Sequence, residues 1–357
     1  MKKEEKIRVG ISIGDLNGIG SEVILKTFED PRMLDFCTPV IFGSIKILSF
    51  LKKQYHINPK LHGIDKTSEI LDGRINVLNV WRENVNINFG QEDHSIGAYA
   101  IKSLKAATES LKKNEVDVLV TAPINKSSIQ SEDFKFPGHT DYLDQELEGN
   151  SLMFMITDTL KVGLLTDHVA IKDIANTITP ALIEQKIKTI YMALQQDFGI
   201  SKPKIALLGI NPHSGDNGVI GKEDEEVLKP TILKIQESGK LVYGPYAADS
   251  FFGSDGYKTF DAIIASYHDQ GLIPFKTLSF GKGVNYTAGL TKIRTSPDHG
   301  TAFEIAGKNK ADEGSFKEAV FSAIEIFKNR KEYQELTKNV LKRQPRKPPQ
   351  YKNRNNK

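Results

Sequence analysis

Three of the eight histidines share one local pattern: an apolar run ends, one or two polar residues follow, and a histidine opens a loop. The segments are Val162-Gly163-Leu164-Leu165-Thr166-Asp167-His168, Ala206-Leu207-Leu208-Gly209-Ile210-Asn211-Pro212-His213 and Ile263-Ile264-Ala265-Ser266-Tyr267-His268. Three imidazoles that leave positions open for substrate oxygens would form a catalytic site for zinc or a similar ion. If the apolar runs are strands of one parallel sheet, their carboxyl ends share an edge and the rings can converge there. Each histidine alone reads as well as a separate hydrogen-bonding loop residue. Their wide spacing is no metal signature, and the sequence-local His-Glu-x-x-His pattern is absent. His56, His62 and His94 stand in polar stretches and are read as facing solvent.

Other residues suit an anion. Gly138-His139-Thr140 follows Pro137 and offers short donors in a turn, while Lys276, Asn285 and Arg294 bracket Gly281-Lys282-Gly283. Cations and amides of this kind bind phosphate or carboxylate, although each also reads as a solvated surface group. The segment Gly14-Asp15-Leu16-Asn17-Gly18-Ile19-Gly20-Ser21-Glu22 follows an apolar run and leads into a helix. It reads either as an anion cradle of backbone N–H groups or as a tight strand-to-helix turn. It matches neither the dinucleotide glycine fingerprint nor a Walker loop. Asp249, in the turn Ala247-Ala248-Asp249-Ser250, is the candidate general base, with a turn cap as its other reading.

The elements that must position these groups follow from the apolar pattern. Short β-branched runs at Ile7–Ile11, Val116–Val120, Lys204–Leu208 and Ala262–Ala265 alternate with longer amphipathic stretches, which predicts a parallel sheet covered by helices. One helix is predicted from Pro180 to about Phe198 with Thr179 as its cap, and another from about Glu223 to Ser238 with acids in its first turn. There is no internal repeat and no long linker, so any lobes are joined through the sheet.

A chain of 357 residues, 39% hydrophobic and 26% charged, is an ordinary globular composition, long enough for two lobes around a sizeable core. A single cysteine, Cys37, excludes a disulfide framework and a Cys-rich zinc site, and reads as a small buried hydrophobe in a reducing compartment. No apolar run approaches the roughly 20 residues of a membrane span. The charged start leads straight into Val9–Asp15, unlike a signal peptide, so the cytoplasm is expected. The net charge of +3 becomes −4 once the seven basic residues between Lys342 and Lys357 are set aside. That acid-free, proline-containing end reads as a disordered tail over 338–357. It is the one region that would support nucleic-acid binding, a rival role from another class.

Taken in order, the segments resemble the 4-hydroxythreonine-4-phosphate dehydrogenase family of pyridoxal phosphate synthesis over about residues 7 to 330. The matching stretches are GDLNGIGSE (14 to 22), TAPINK (121 to 126), PGHTDYL (137 to 143), TDHVAIKDI (166 to 174), GINPHSGDNG (209 to 218), YHDQGLIPFK (267 to 276), GKGVNYTAGL (281 to 290) and IRTSPDHGTAFEIAGK (293 to 308). Asn17 departs from the alanine expected there, and the basic tail lies outside the resemblance. The resemblance implies a two-lobed α/β fold similar to isocitrate and isopropylmalate dehydrogenases, with mostly parallel sheets. Residues 1–135 plus 300–335 would form one lobe, and 136–299 the lobe carrying the metal histidines. It also implies a divalent metal on His168, His213 and His268 (zinc first, magnesium or cobalt as alternatives). His139, Thr140, Lys276, Asn285 and Arg294 would hold substrate. The loop His299-Gly300-Thr301 would hold NAD, which would explain the missing glycine fingerprint, and the unit would be a homodimer with shared active sites. The implied reaction is oxidation of the phosphorylated substrate at C3 to a β-keto acid, which decarboxylates to 3-amino-2-oxopropyl phosphate. Dehydrogenases of phosphorylated threonate, erythronate or other hydroxy acids are the near rivals. An acyl or phosphoryl transferase on a similar fold is a more distant one, against which the three histidines argue.

Overall fold

The computed structural model describes residues 6–132 and 134–339. Twelve strands form one sheet: β1 (Arg8–Ser12), β2 (Thr38–Gly43), β3 (Leu61–Ile64), β4 (Ile75–Asn79), β5 (Val118–Thr121), β6 (Gly149–Ile156), β7 (Lys161–Leu164), β8 (Lys204–Leu208), β9 (Leu241–Tyr246), β10 (Ala262–Ala265), β11 (Val284–Leu290) and β12 (Ile293–Pro297). Their order across the sheet is β3-β4-β2-β1-β5-β12-β11-β6-β7-β10-β8-β9.

Two parallel blocks make up this sheet. The block from β3 to β12 is parallel throughout, and so is the block β7-β10-β8-β9. Between them the pairings β12–β11, β11–β6 and β6–β7 are all antiparallel. Three reversals leave the two blocks running in opposite senses, so their carboxyl ends lie on opposite edges. The mostly parallel α/β fold is therefore present, with its polarity inverted across the centre. β12, which comes from the 136–299 segment, pairs with β5 and completes the first block.

Burial explains why these segments are strands. All four residues of β5 are buried, as are all four of β10, which is the pattern of a strand covered on both faces. The helix Pro180–Gln196 forms as its sequence predicts, with the Thr179 Oγ1 accepting from the Leu182 N–H at 3.3 Å and Ile183, Ile187, Ile190 and Leu194 turned into the core. The second predicted helix differs. Asp224–Leu228 forms a π-type turn, and the α-helix runs only from Lys229 to Glu237. The reason is Asp224, which is buried and accepts from Ile210 N, Asn211 N and Asn211 Nδ2 at 2.8–3.0 Å. Its carboxylate serves the preceding loop instead of capping a helix.

The helix Gly314–Thr337 covers the centre of the sheet, where the Thr295 hydroxyl donates to the Ala319 carbonyl at 2.8 Å. Beneath it, Asp197, Tyr286 and Arg330 form a buried brace: the Tyr286 hydroxyl donates to Asp197 Oδ2 at 2.6 Å and the Arg330 Nε to Oδ1 at 2.8 Å. Cys37 is buried with its thiol pushed up to about 12 by desolvation, as a small core hydrophobe should be. No helix among the described residues is long and apolar enough to cross a membrane. The basic tail from residue 340 onward lies outside the described residues.

Candidate active site

Arg294 begins the site. It lies on β12, 2% exposed, and its partners are hydroxyls: Nε and Nη2 donate to Thr121 Oγ1 at 3.1 and 2.6 Å, and Nη1 to Thr287 Oγ1 at 3.1 Å. No carboxylate of the described residues pairs with it. Burial alone pulls its pKa down to about 9, so the guanidinium remains charged at neutral pH. A buried, uncompensated cation is expensive to maintain unless an anion is delivered to it.

The cavity beside it has a volume of 390 Å³. Into it face Thr121, Lys126, His139, Thr140, Asn285 and Arg294 from one side of the sheet's centre, with Ser296, His299, Gly300 and His168 also lining it. Three of its polar atoms, His139 Nε2, Asn285 Oδ1 and His299 Nε2, are buried and have no partner within the chain. Burial, and then the charge of Arg294, hold the His139 pKa well below its ordinary value, so this imidazole is neutral. A neutral imidazole, an amide and a cation with free valences provide matched contacts for a small anionic molecule carrying hydroxyl or amino groups.

The walls of this cavity are held by close backbone approaches. Gly14 has φ +72°, and a Cβ there would stand 2.3 Å from the Pro123 carbonyl, which accepts from the Asp15 N–H at 2.9 Å. A Cβ on Gly18 would stand 2.9 Å from the Thr301 carbonyl, the acceptor of the Ile19 N–H at 3.0 Å. The Asn17 N–H donates to Asp15 Oδ1 at 2.9 Å and the Gly18 N–H to the Asp15 carbonyl at 3.1 Å. The N–H groups of Asp15, Asn17, Gly18 and Ile19 are thus engaged within the chain, and the Gly14–Ile19 part of the segment is a tight turn that leads into the helix beginning at Gly20. Its service to the site is to seat Pro123 and the 298–302 loop. Asp15 itself is buried, and desolvation raises its carboxyl to about 6.

The three histidines of the shared pattern follow β7, β10 and β8, which are neighbours and parallel, so all three leave the same edge. The His168 and His268 ring centroids are 6.0 Å apart. His268 opens a helix, His268–Ser279, and not the expected loop. Its Nδ1 lies 2.7 Å from Asp269 Oδ1, which favours the tautomer protonated there and leaves Nε2 with a lone pair, as in metal-ligating histidines. His213 stands in the turn Pro212–Gly218, where φ is positive from His213 through Asn217. Among the described residues, no three metal-binding side chains of one chain come close enough to hold an ion. Donor type and strand-end placement thus suit a divalent metal, while one chain by itself juxtaposes only two of the rings.

The remaining candidates fall at the margin. Lys276 reaches Asp298 Oδ1 at 3.1 Å and does not line the cavity. Asp249 is exposed in the short helix Ala248–Gly253 and likewise does not line it. His56 and His94 are exposed, and His62 is half-buried on β3. Sequence reasoning missed Thr121, Lys126 and Ser296. Lys126 ends the TAPINK stretch and could have been found as a cation next to a strand end. It also missed Asp167, whose carboxyl is raised by burial, with Lys186 opposing at 4.0 Å, and whose Oδ1 is buried without a partner.

Fold and cavity together define an α/β protein with a cavity lined by Arg294, Lys126 and His139 over the antiparallel centre of its sheet. Residues 35–323 match the model of the family described as pyridoxal phosphate biosynthetic protein PdxA, and the chain belongs to this family. It is 47% identical over 344 residues to the 4-hydroxythreonine-4-phosphate dehydrogenase of Bacteroides thetaiotaomicron, covering 96% of this chain and 94% of that protein. It is 36% identical to the D-threonate 4-phosphate dehydrogenase of Cupriavidus necator, covering 89% and 96%. The crystal structure of 4-hydroxythreonine-4-phosphate dehydrogenase from Klebsiella pneumoniae superposes with a TM-score of 0.79 at 30% identity, covering 92% of this chain and 99% of that one.

Proposed function

We propose that this protein is an NAD-dependent 4-hydroxythreonine-4-phosphate dehydrogenase of vitamin B6 synthesis, oxidising its substrate at C3 with the help of a divalent metal. The observation that carries the reading is the buried Arg294, charged and without a carboxylate partner, in a cavity that also exposes free valences of His139 and Asn285. Arg294 would bind one anionic group of the substrate by charge-assisted hydrogen bonds, with Lys276 available at the rim for the other. His139 and Asn285 would orient the hydroxyl and amino groups, and Thr121 would keep the guanidinium aimed at its anion.

His168, His213 and His268 would hold the metal (zinc first, magnesium or cobalt as alternatives), which when bound supplies Lewis acidity toward hydroxyl and keto oxygens. The loop His299-Gly300-Thr301 would hold NAD, which when bound would supply the hydride acceptor for C3; the hydroxyl proton would leave to a base, for which Asp249 is the candidate. The β-keto acid would then lose its carboxylate as carbon dioxide, the bonding electron pair passing to the C3 ketone and the former C2 taking up a proton, to give 3-amino-2-oxopropyl phosphate. We place the active unit in the cytoplasm as a homodimer with shared sites.

A second reading, a dehydrogenase of phosphorylated threonate or erythronate, is favoured by the likeness to the Cupriavidus necator enzyme. One assay separates them: NADH formation from 4-hydroxythreonine 4-phosphate, threonate 4-phosphate and erythronate 4-phosphate, each with and without chelator. The expected result is that the first is turned over best, and that activity lost to chelator returns with added zinc, magnesium or cobalt. Preference for a phosphorylated acid lacking the amino group would move the assignment to the second reading, and chelator-resistant activity would remove the metal.

A further inference from the structure

Lys276 extends from the helix His268–Ser279 and is half exposed, yet its ammonium is tied to a carboxylate that is only 14% exposed, Asp298. Asp298 sits between Pro297 and His299, both of which line the cavity. The backbone of Asp298 is fixed by hydrogen bonds, and its carboxylate packs close over a glycine. The Asp298 N–H donates to Ser315 Oγ at 3.0 Å, and the Ser315 hydroxyl donates to the Gly283 carbonyl at 2.7 Å. Gly283 is buried, and a Cβ there would stand 2.8 Å from Asp298 Oδ2 and 2.8 Å from Phe275 Cε1. The second glycine of Gly281-Lys282-Gly283 therefore makes room for this carboxylate. Desolvation raises the Asp298 carboxyl above the ordinary range, and Lys276 is the first opposing influence.

On this geometry, and resting on the function proposed above, we propose that Asp298 is a positioning residue that holds Lys276 at the mouth of the cavity for the second anionic group of the substrate. A free lysine samples many rotamers of a flexible four-carbon stem and is a compact point charge. Ordering it on substrate binding weakens binding, and a fixed carboxylate removes that loss in advance. Arg294 inside the cavity, held by Thr121 and Thr287, and Lys276 outside its lining, held by Asp298 between two lining residues, would then form two cationic points. Asp298 also continues directly into the loop His299-Gly300-Thr301, so the same carboxylate ties the substrate cation to the segment expected to hold the dinucleotide.

The test compares Asp298→Asn, Lys276→Met and the double variant with wild type, in steady-state kinetics and in calorimetric binding of 4-hydroxythreonine 4-phosphate without NAD. For Asp298→Asn we expect KM and the dissociation constant to rise about tenfold with kcat changed less than about threefold, because a ground-state positioning contact is lost. The double variant should be no weaker than Lys276→Met alone, since both changes remove one interaction. Unchanged or tighter binding in Asp298→Asn would overturn the proposal, the latter by making Asp298 a competitor for the lysine. Additive losses in the double variant would overturn it too, as would a thermal midpoint that falls in parallel with affinity. If wild type binds none of the phosphorylated acids named above, the functional reading and this proposal fail together. An active wild type with an indifferent Asp298→Asn sinks this proposal alone.

Discussion

Arg294 shows how one side chain can set both the instability and the function of a site. Its pKa in the fold, about 9, lies below the ordinary 12.5, so the folded state disfavours its charge. The sign follows: the destabilisation is complete at any pH below about 9 and is relieved only as pH rises toward the ordinary value. Arg294→Met should then raise the thermal midpoint of the ligand-free protein at pH 7, by roughly 2–4 °C per kcal/mol for domains of moderate size, while abolishing protection by the phosphorylated substrate. Scanning calorimetry with and without that substrate reads both effects, and a lowered ligand-free midpoint would show the guanidinium to be a net structural asset. Residue types were legible in the sequence here: His139, Thr140, Asn285 and Arg294, taken from the resemblance, all line one cavity. Partners were not. That Thr121 holds Arg294, or Asp298 holds Lys276, depends on strand register and on a helix laid across the sheet, neither of which is written in local spacing.

At the scale of elements, the legible parts are those governed by local rules. Thr179 followed by Pro180 and a 3.6-residue apolar period gives the helix Pro180–Gln196, and the apolar runs before His168, His213 and His268 are adjacent parallel strands. The π-type turn Asp224–Leu228 escaped notice because an acid ahead of an apolar run looks like a helix start whichever N–H groups it serves. Asp224 in fact accepts from the Ile210 and Asn211 backbone and so anchors the left-handed turn that carries His213. Asp224→Ala is expected to lower stability by about 3 kcal/mol, at the upper end for buried donors left unpaired, and to weaken metal binding about 10- to 100-fold. Thermal unfolding and zinc titration against a chromophoric chelator measure the two. Wild-type zinc affinity in a destabilised Asp224→Ala would separate His213 from the metal.

The whole molecule is two opposed parallel blocks sharing an antiparallel centre, and the cavity lies over that centre. His213 and His268 do not line the cavity of their own chain, so in a homodimer with shared sites they are the ligands to test for crossing over. Arg294→Ala mixed with His213→Ala or with His268→Ala should regain roughly a quarter of wild-type activity if the paired residues come from different subunits, since half the dimers are mixed and one of their two sites is intact. Co-expression with distinguishable tags measures it. No recovery in either mixture, with mixed dimers demonstrated, would make the sites self-contained. The pairing of β5 with β12 has a further consequence, in time. Thr121 and the Arg294 that bonds to it are 173 residues apart, so as the chain leaves the ribosome β5 remains an open edge until most of the protein has been made. The block formed first is thus closed by one of the last strands to be synthesised. Because that strand brings Arg294, the anion cavity comes into being only when the nascent chain loses its exposed edge.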